Sequence, residues 1–199
     1  MAGYYRRRDQ ALAPSELSTL GGQLLASPYL SVNNLNRDFV ATRGFSIVFK
    51  QESLPVVVQR FGYLEPYLAL ALEADCNAFY LNALLLTQNS RVDPHIDRSL
   101  RSYCKTVDPP AAVSVLYIQV PPALEGGELV LCCGKKPVGQ IRPVENTLVH
   151  FQGNLTHSVN KMRSPGRRLS LVCEQYQLSE LELLSIPTFT VESRVQPVR

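Results

Sequence analysis

The sequence predicts an α+β protein, with a helical opening followed by a β-sandwich or open barrel. Two patterns carry this reading. Apolar residues recur at helical spacing before about residue 75, whereas from Ala78 onward short β-rich runs alternate with turn residues. Size agrees. A chain of 199 residues, 45% hydrophobic and 19% charged, can bury a core as one domain without a disulfide or metal to hold it. The expected layout is helical support over about 1–75, a β core over about 78–178 and an extended tail over 185–199.

The elements follow in order. Ser15-Glu16-Leu17-Ser18-Thr19-Leu20 reads as a capped helix that Gly21-Gly22 interrupts. Gly44–Lys50 alternates Phe45, Ile47 and Phe49 with other residues, a strand signal. From Val56 to about Ala74, Val57, Phe61, Leu64, Leu68 and Leu72 keep helical spacing, and Pro66 should kink or restart that helix. Strands are expected at Phe79–Thr87, Ala112–Val120, Glu128–Cys132, Val138–Arg142, Thr147–Phe151 and Arg168–Tyr176. Asn89-Ser90, Asp108-Pro109-Pro110, Gly126-Gly127, Gly134, Gly153-Asn154 and Ser164-Pro165-Gly166 punctuate them. Beyond Leu184 the chain reads as extended and loosely held.

Composition narrows the function. No run of about 18 apolar residues predicts a membrane span, and the basic N-terminus has no apolar stretch behind it, so no secretory signal is expected. A cytoplasmic protein is the expectation. The formal charge of +3 is too small for a nucleic-acid binder, and Arg6–Arg8 reads as a solvated tail. Five cysteines without CxxC spacing argue against a disulfide framework or a zinc site. Cys132-Cys133 would point to opposite faces of a strand rather than to each other.

The chemistry concentrates around two of the three histidines. In Arg91-Val92-Asp93-Pro94-His95-Ile96-Asp97 an extended strand would aim His95 and Asp97 to one face. His157 follows in Gly153-Asn154-Leu155-Thr156-His157. Two histidines and a carboxylate can form the facial triad of non-haem Fe(II) oxygenases, which leaves three coordination positions open. In Arg168-Leu169-Ser170 alternation puts Arg168 and Ser170 on one face, a guanidinium and a hydroxyl suited to a carboxylate. Arg167 has the opposite parity. His150 reads as a core histidine or one that touches a ligand rather than a metal.

In order and spacing, residues of about Tyr80–Tyr176 resemble the 2-oxoglutarate/Fe(II)-dependent dioxygenase superfamily, in its prolyl- and lysyl-hydroxylase-like branch. The segments are Arg91–Asp97, Val115-Leu116-Tyr117-Ile118 leading into Glu125-Gly126-Gly127-Glu128-Leu129, the His157 region, and Arg168-Leu169-Ser170. The resemblance implies a double-stranded β-helix (jelly-roll) core with N-terminal flanking helices. It implies Fe(II) on His95, Asp97 and His157, and 2-oxoglutarate held by Arg168 and Ser170. The chemistry implied is consumption of O2 and 2-oxoglutarate, release of succinate and CO2, and hydroxylation of a C–H bond. Halogenating relatives replace the carboxylate with a small residue, so Asp97 favours hydroxylation. Relatives often carry a co-substrate tyrosine nine or ten residues before the first iron histidine; here Leu86 and Leu85 stand there, leaving Tyr117, Asn82 or Tyr80 as replacements. Tyr80, Asn82, Arg98 and Arg101 are also candidate substrate contacts, and the connection from Tyr103 to Pro110 a candidate lid.

The resemblance favours a prolyl or lysyl residue of a peptide or protein as substrate, with a free amino acid or small metabolite as the alternative. A non-catalytic metal-binding jelly roll is the reading from another class, but such a module has no need of Arg168 beside Ser170. Neither a nucleic-acid nor a membrane partner is expected.

Overall fold

The computed structural model describes residues 3–32 and 38–194. Its strands are β1 (Tyr5–Asp9), β2 (Ser31–Val32), β3 (Phe39–Val40), β4 (Arg43–Lys50), β5 (Ala78–Thr87), β6 (Arg91–His95), β7 (Ala112–Gln119), β8 (Leu129–Cys133), β9 (Lys136–Ile141), β10 (Thr147–Gln152), β11 (Thr156–Val159), β12 (Arg167–Tyr176) and β13 (Phe189–Glu192). The α-helices are α1 (Pro14–Ala26), α2 (Leu54–Arg60), α3 (Glu65–Ala71) and α4 (Glu180–Ser185). Eight strands form a major sheet in the order β1-β10-β7-β12-β5-β4-β13, with β2 also on β4. Five form a minor sheet, β3-β6-β11-β8-β9. Every strand pairing is antiparallel. Two such sheets packed face to face make the jelly roll.

Alternation along the strands assigns the two faces of the major sheet. Phe79, Leu81, Ala83 and Leu85 of β5, with Leu169, Leu171 and Cys173 of β12, face outward and meet Leu17, Leu20 and Leu24 of α1, Val57 of α2 and Leu68 and Ala71 of α3. The helices therefore cover the outer face of the sheet. Val113, Val115 and Tyr117 of β7 and Val149 and Phe151 of β10 face inward onto Leu129, Leu131 and Ile141 of the minor sheet. Burying about 1.5–3 kcal/mol of side chain at each such position is what fixes the register, because a slip of one residue would exchange the two faces.

The strands expected from Phe79 onward are present with ends shifted by at most two residues. Pro66 restarts rather than kinks the helix, lying at the first turn of α3. Three readings are corrected. Helix α1 runs through Gly21-Gly22, because a Cβ at Gly21 would lie 3.1 Å from the Ile118 side chain and its absence lets the helix settle on β7. The N-terminal region is helical only in part, since β1 to β4 lie in it. The segment beyond Leu184 is not loose through Glu192: β13 pairs with β4, Phe189 opposite Phe49. Pro197 lies outside the described residues.

Candidate active site

Strands β6 and β11 pair so that His95 lies directly opposite His157. Their ring centroids are 4.4 Å apart, and Phe39 and Phe151 pack on the rings at 5.3 and 5.0 Å. Each Nδ1 meets a carbonyl two residues upstream, Asp93 O at 2.9 Å from His95 and Leu155 O at 3.2 Å from His157. Those carbonyls require the proton on Nδ1, which leaves each Nε2 with a lone pair directed inward. The expectation that His95 and Asp97 share one extended strand is corrected: β6 ends at His95 and Asp97 follows in irregular chain. It still converges, because the chain turns there into a 3-10 helix at Ser99–Ser102.

Asp97 is 6% exposed. Its Oδ1 lies 3.1 Å from His95 Nε2, and its Oδ2 lies 3.3 Å from His157 Nε2 without hydrogen-bonding geometry to any group. Burial alone would raise its pKa, yet His157 and then His95 outweigh it and hold the carboxyl well below the usual carboxylate range. Burial pushes His95 down, and Asp97 outweighs that to leave it raised. One ligand atom from each residue fits within a 4.8 Å cluster. Two inward nitrogens and a buried carboxylate oxygen with no donor are a donor set that fits a divalent cation with an open face.

The inner face of β12 carries Arg168 and Ser170 as the alternation required, and Ser170 lies opposite Tyr117 of β7. All three are at most 1% exposed. Arg168 donates from Nη1 to Gly127 O at 2.6 Å, and its guanidinium lies 4.9 Å from the centre of the Tyr117 ring. Among the described residues Arg168 Nε, Ser170 Oγ and Tyr117 OH have no partner. Burial raises the Tyr117 hydroxyl, despite Arg168, and lowers Arg168. Buried donors without acceptors are costly, and three together are matched to an anionic ligand such as a carboxylate. The turn at Gly126-Gly127 serves this pocket: φ is +76° and +74°, and a Cβ on Gly126 would stand 2.0 Å from Lys161 O. Leu86 lies opposite Arg168, so apolar surface fills the place of the tyrosine common in relatives.

The remaining candidates separate by their neighbours. Tyr80 donates its hydroxyl to Glu192 at 2.7 Å. Asn82, with its amide nitrogen toward the carbonyls, donates to Phe45 O and Ala83 O at 3.1 and 3.2 Å. Of the three hydroxyl or amide groups considered for the co-substrate, only Tyr117 stands beside Arg168 with its polar atom unpartnered. Arg98 is exposed, whereas Arg101 braces the following loop through Nε to Val107 O at 2.7 Å. Arg167 is exposed and His150 is buried with Nε2 3.0 Å from Ala71 O, away from the triad's strands. Cys132 and Cys133 are free thiols.

One buried group escaped the sequence reading. Glu174, 5% exposed, accepts from Ser99 N at 3.0 Å, from Ser99 Oγ at 2.5 Å and from the Tyr176 hydroxyl. Burial and the neighbouring Asp97 charge push its carboxyl up to about 8. Its parity with Arg168 and Ser170 on β12 was the available signal.

Residues 80–173 match the family model of the 2OG-Fe(II) oxygenase superfamily. The match spans 94 of the 199 residues and takes in His95, Asp97, His157, Arg168 and Ser170. No curated protein sequence matches the chain. Among solved structures, this oxygenase is similar to a Pseudomonas putida prolyl-4-hydroxylase, with TM-score 0.62 and 16% identity over 89% of this chain and 95% of that one. A prolyl hydroxylase from Trichoplax adhaerens, in complex with a hypoxia inducible factor oxygen degradation domain peptide fragment, gives TM-score 0.60 and 14% identity over 92% and 88%. HygX from Streptomyces hygroscopicus, with nickel and 2-oxoglutarate bound, gives 0.57 and 12% over 86% and 82%. The fold is thus the jelly roll of prolyl-hydroxylase-like oxygenases, and the oxygenase uses Fe(II), 2-oxoglutarate and O2. Among the described residues no helix is long and apolar enough to cross a membrane.

Proposed function

We propose that this oxygenase hydroxylates a C–H bond of a prolyl or lysyl residue in a peptide or protein, with Fe(II) on His95, Asp97 and His157 and 2-oxoglutarate on Arg168, Ser170 and Tyr117. The observation that carries the site assignment is a pair of complementary sets, a donor triad with an unspent carboxylate oxygen and a pocket of unspent hydrogen-bond donors, joined through one apolar cluster in which Phe151 packs on His157 and Tyr117 under Arg168. The first suits a divalent cation and the second a dianion's far carboxylate. Iron, when bound, supplies the oxidising chemistry together with the co-substrate. The chain's residues do the positioning. The Asp93 and Leu155 carbonyls orient both imidazoles, Leu86 and the inward apolar residues exclude water, and Arg168 fixes one end of the co-substrate.

The peptide reading is supported by likeness to prolyl hydroxylases, one of them crystallised with a peptide. HygX, also solved with hygromycin B, is the observation behind a small-molecule alternative. The deciding experiment follows succinate release in the presence of Fe(II) and 2-oxoglutarate. Stimulation by proline- or lysine-containing peptides but not by the free amino acids is expected; the reverse pattern refutes a peptide substrate. His157→Ala should remove metal binding from a folded protein, and retained stoichiometric binding would take His157 out of the ligand set.

A further inference from the structure

Asp97 is held differently from the two histidines. Each histidine lies in the β6–β11 pairing and has a carbonyl behind its ring. Asp97 stands in irregular chain between the end of β6 and the 3-10 helix, so backbone pairing fixes it on one side only. The other side is fixed at Ser99, two residues on, where both the N–H and the hydroxyl converge on one carboxyl, that of Glu174. Glu174 is itself anchored by Tyr176 and by the pairing of β12 with β5 and β7. A buried carboxyl that receives three donors and no cation is a clamp rather than an ion pair.

Resting on the assignment of the triad to iron, we infer that Glu174 is a positioning residue: through Ser99 it sets the turn that presents the Asp97 carboxylate to the metal. Strand β12 then carries two functions on one face, the co-substrate donors at Arg168 and Ser170 and the metal-loop clamp at Glu174. Groups that orient metal ligands typically change metal affinity by about 10–100-fold when removed.

The test titrates Mn(II) into metal-free full-length protein, reading free Mn(II) by its electron paramagnetic resonance signal. Wild-type binding that His157→Ala abolishes establishes the triad independently; its failure would overturn that assignment rather than the clamp. With the triad established, Glu174→Ala should weaken Mn(II) binding at least about tenfold. Glu174→Gln, which keeps an acceptor for Ser99 N and can donate to Ser99 Oγ, should stay within about threefold of wild type. A purely structural brace would lower the melting temperature while the folded protein bound Mn(II) normally, and that result overturns the inference. Equal weakening by Gln and Ala also overturns it, since charge rather than the clamp would then be responsible. Should Glu174→Ala not fold, Ser99→Ala decides: it leaves β12 intact and should weaken Mn(II) binding, and wild-type affinity there rejects the clamp.

Discussion

Replacing Arg168 by methionine should separate stability from co-substrate binding. The guanidinium is 1% exposed, makes one side-chain hydrogen bond, to Gly127, and has no carboxylate within ion-pair distance among the described residues. Burying an ion costs several kcal/mol after relaxation. Against this, one charge-assisted hydrogen bond contributes about 1.5–3 kcal/mol and the Tyr117 ring up to about 2 kcal/mol. Without ligand the position is therefore neutral or unfavourable by roughly 1–2 kcal/mol, and methionine fills comparable volume with no charge. At about 2–4 °C per kcal/mol for a chain of this size, Arg168→Met should melt at the wild-type temperature or a few degrees higher. The ligand response should differ sharply. With Mn(II) in place of iron, 2-oxoglutarate at about 100 times its Kd adds some 2.7 kcal/mol to the wild type, a rise of roughly 5–11 °C. The variant should lose that rise. Calorimetry of both proteins with and without co-substrate checks this. A variant that melts well below wild type, or that keeps the full ligand response, refutes the reading of Arg168 as an uncompensated cation awaiting a carboxylate.

Tyr117→Phe removes a hydroxyl that has no partner, so ligand-free stability should hold while the KM for 2-oxoglutarate rises by about 2- to 13-fold, the worth of one hydrogen bond; an unchanged KM would exclude the hydroxyl from the pocket. Gly126→Ala meets a left-handed φ and the Lys161 carbonyl together, and should cost at least about 2 kcal/mol in urea unfolding while weakening 2-oxoglutarate binding through Gly127. Burial lowers the pKa of His150, so the unfolded chain takes up its proton first as pH falls. Stability from this group is complete above about pH 6.5 and declines below it until the folded-state value is reached. The urea midpoint of wild type should therefore fall more steeply than that of His150→Gln between pH 7 and 5.5, and parallel curves would contradict this.

The inner strands β5, β7 and β12 were legible because nearly every position in them is buried, which writes a near-continuous apolar run in β5, a β-branched one in β7 and an alternation of Leu169, Leu171 and Cys173 in β12. Strand β1 gave no such signal. All five of its residues are exposed, and it is held by backbone pairing to β10, Tyr5 opposite Phe151, which no side-chain pattern encodes. Helix α4 is short and buries no residue, so no apolar stripe marked it, and only a Ser179/Glu182 capping box holds its start. In the site, Arg168 and Ser170 could be placed on one face from strand parity, whereas His95 and His157 were marked by the two-histidine, one-carboxylate pattern. Asp97 converges by a turn that parity does not describe. Glu174 was hidden because one acid at a strand end looks ordinary until the three donors around it are seen.

The pairing of His95 with His157 also has a bearing on when the site comes into being. His95 and Asp97 are neighbours in any conformation of the chain, but His157 reaches them only once β11 has zipped onto β6 and β8. Closing so long a loop carries an entropic cost that the unfolded chain has no means of meeting locally. During synthesis the emerging polypeptide offers at most a two-ligand fragment, which holds a metal weakly. On the proposed ligand set, iron would therefore enter a completed jelly roll as a late guest, and once seated it would tie β6, β11 and the following turn together and so lock the minor sheet.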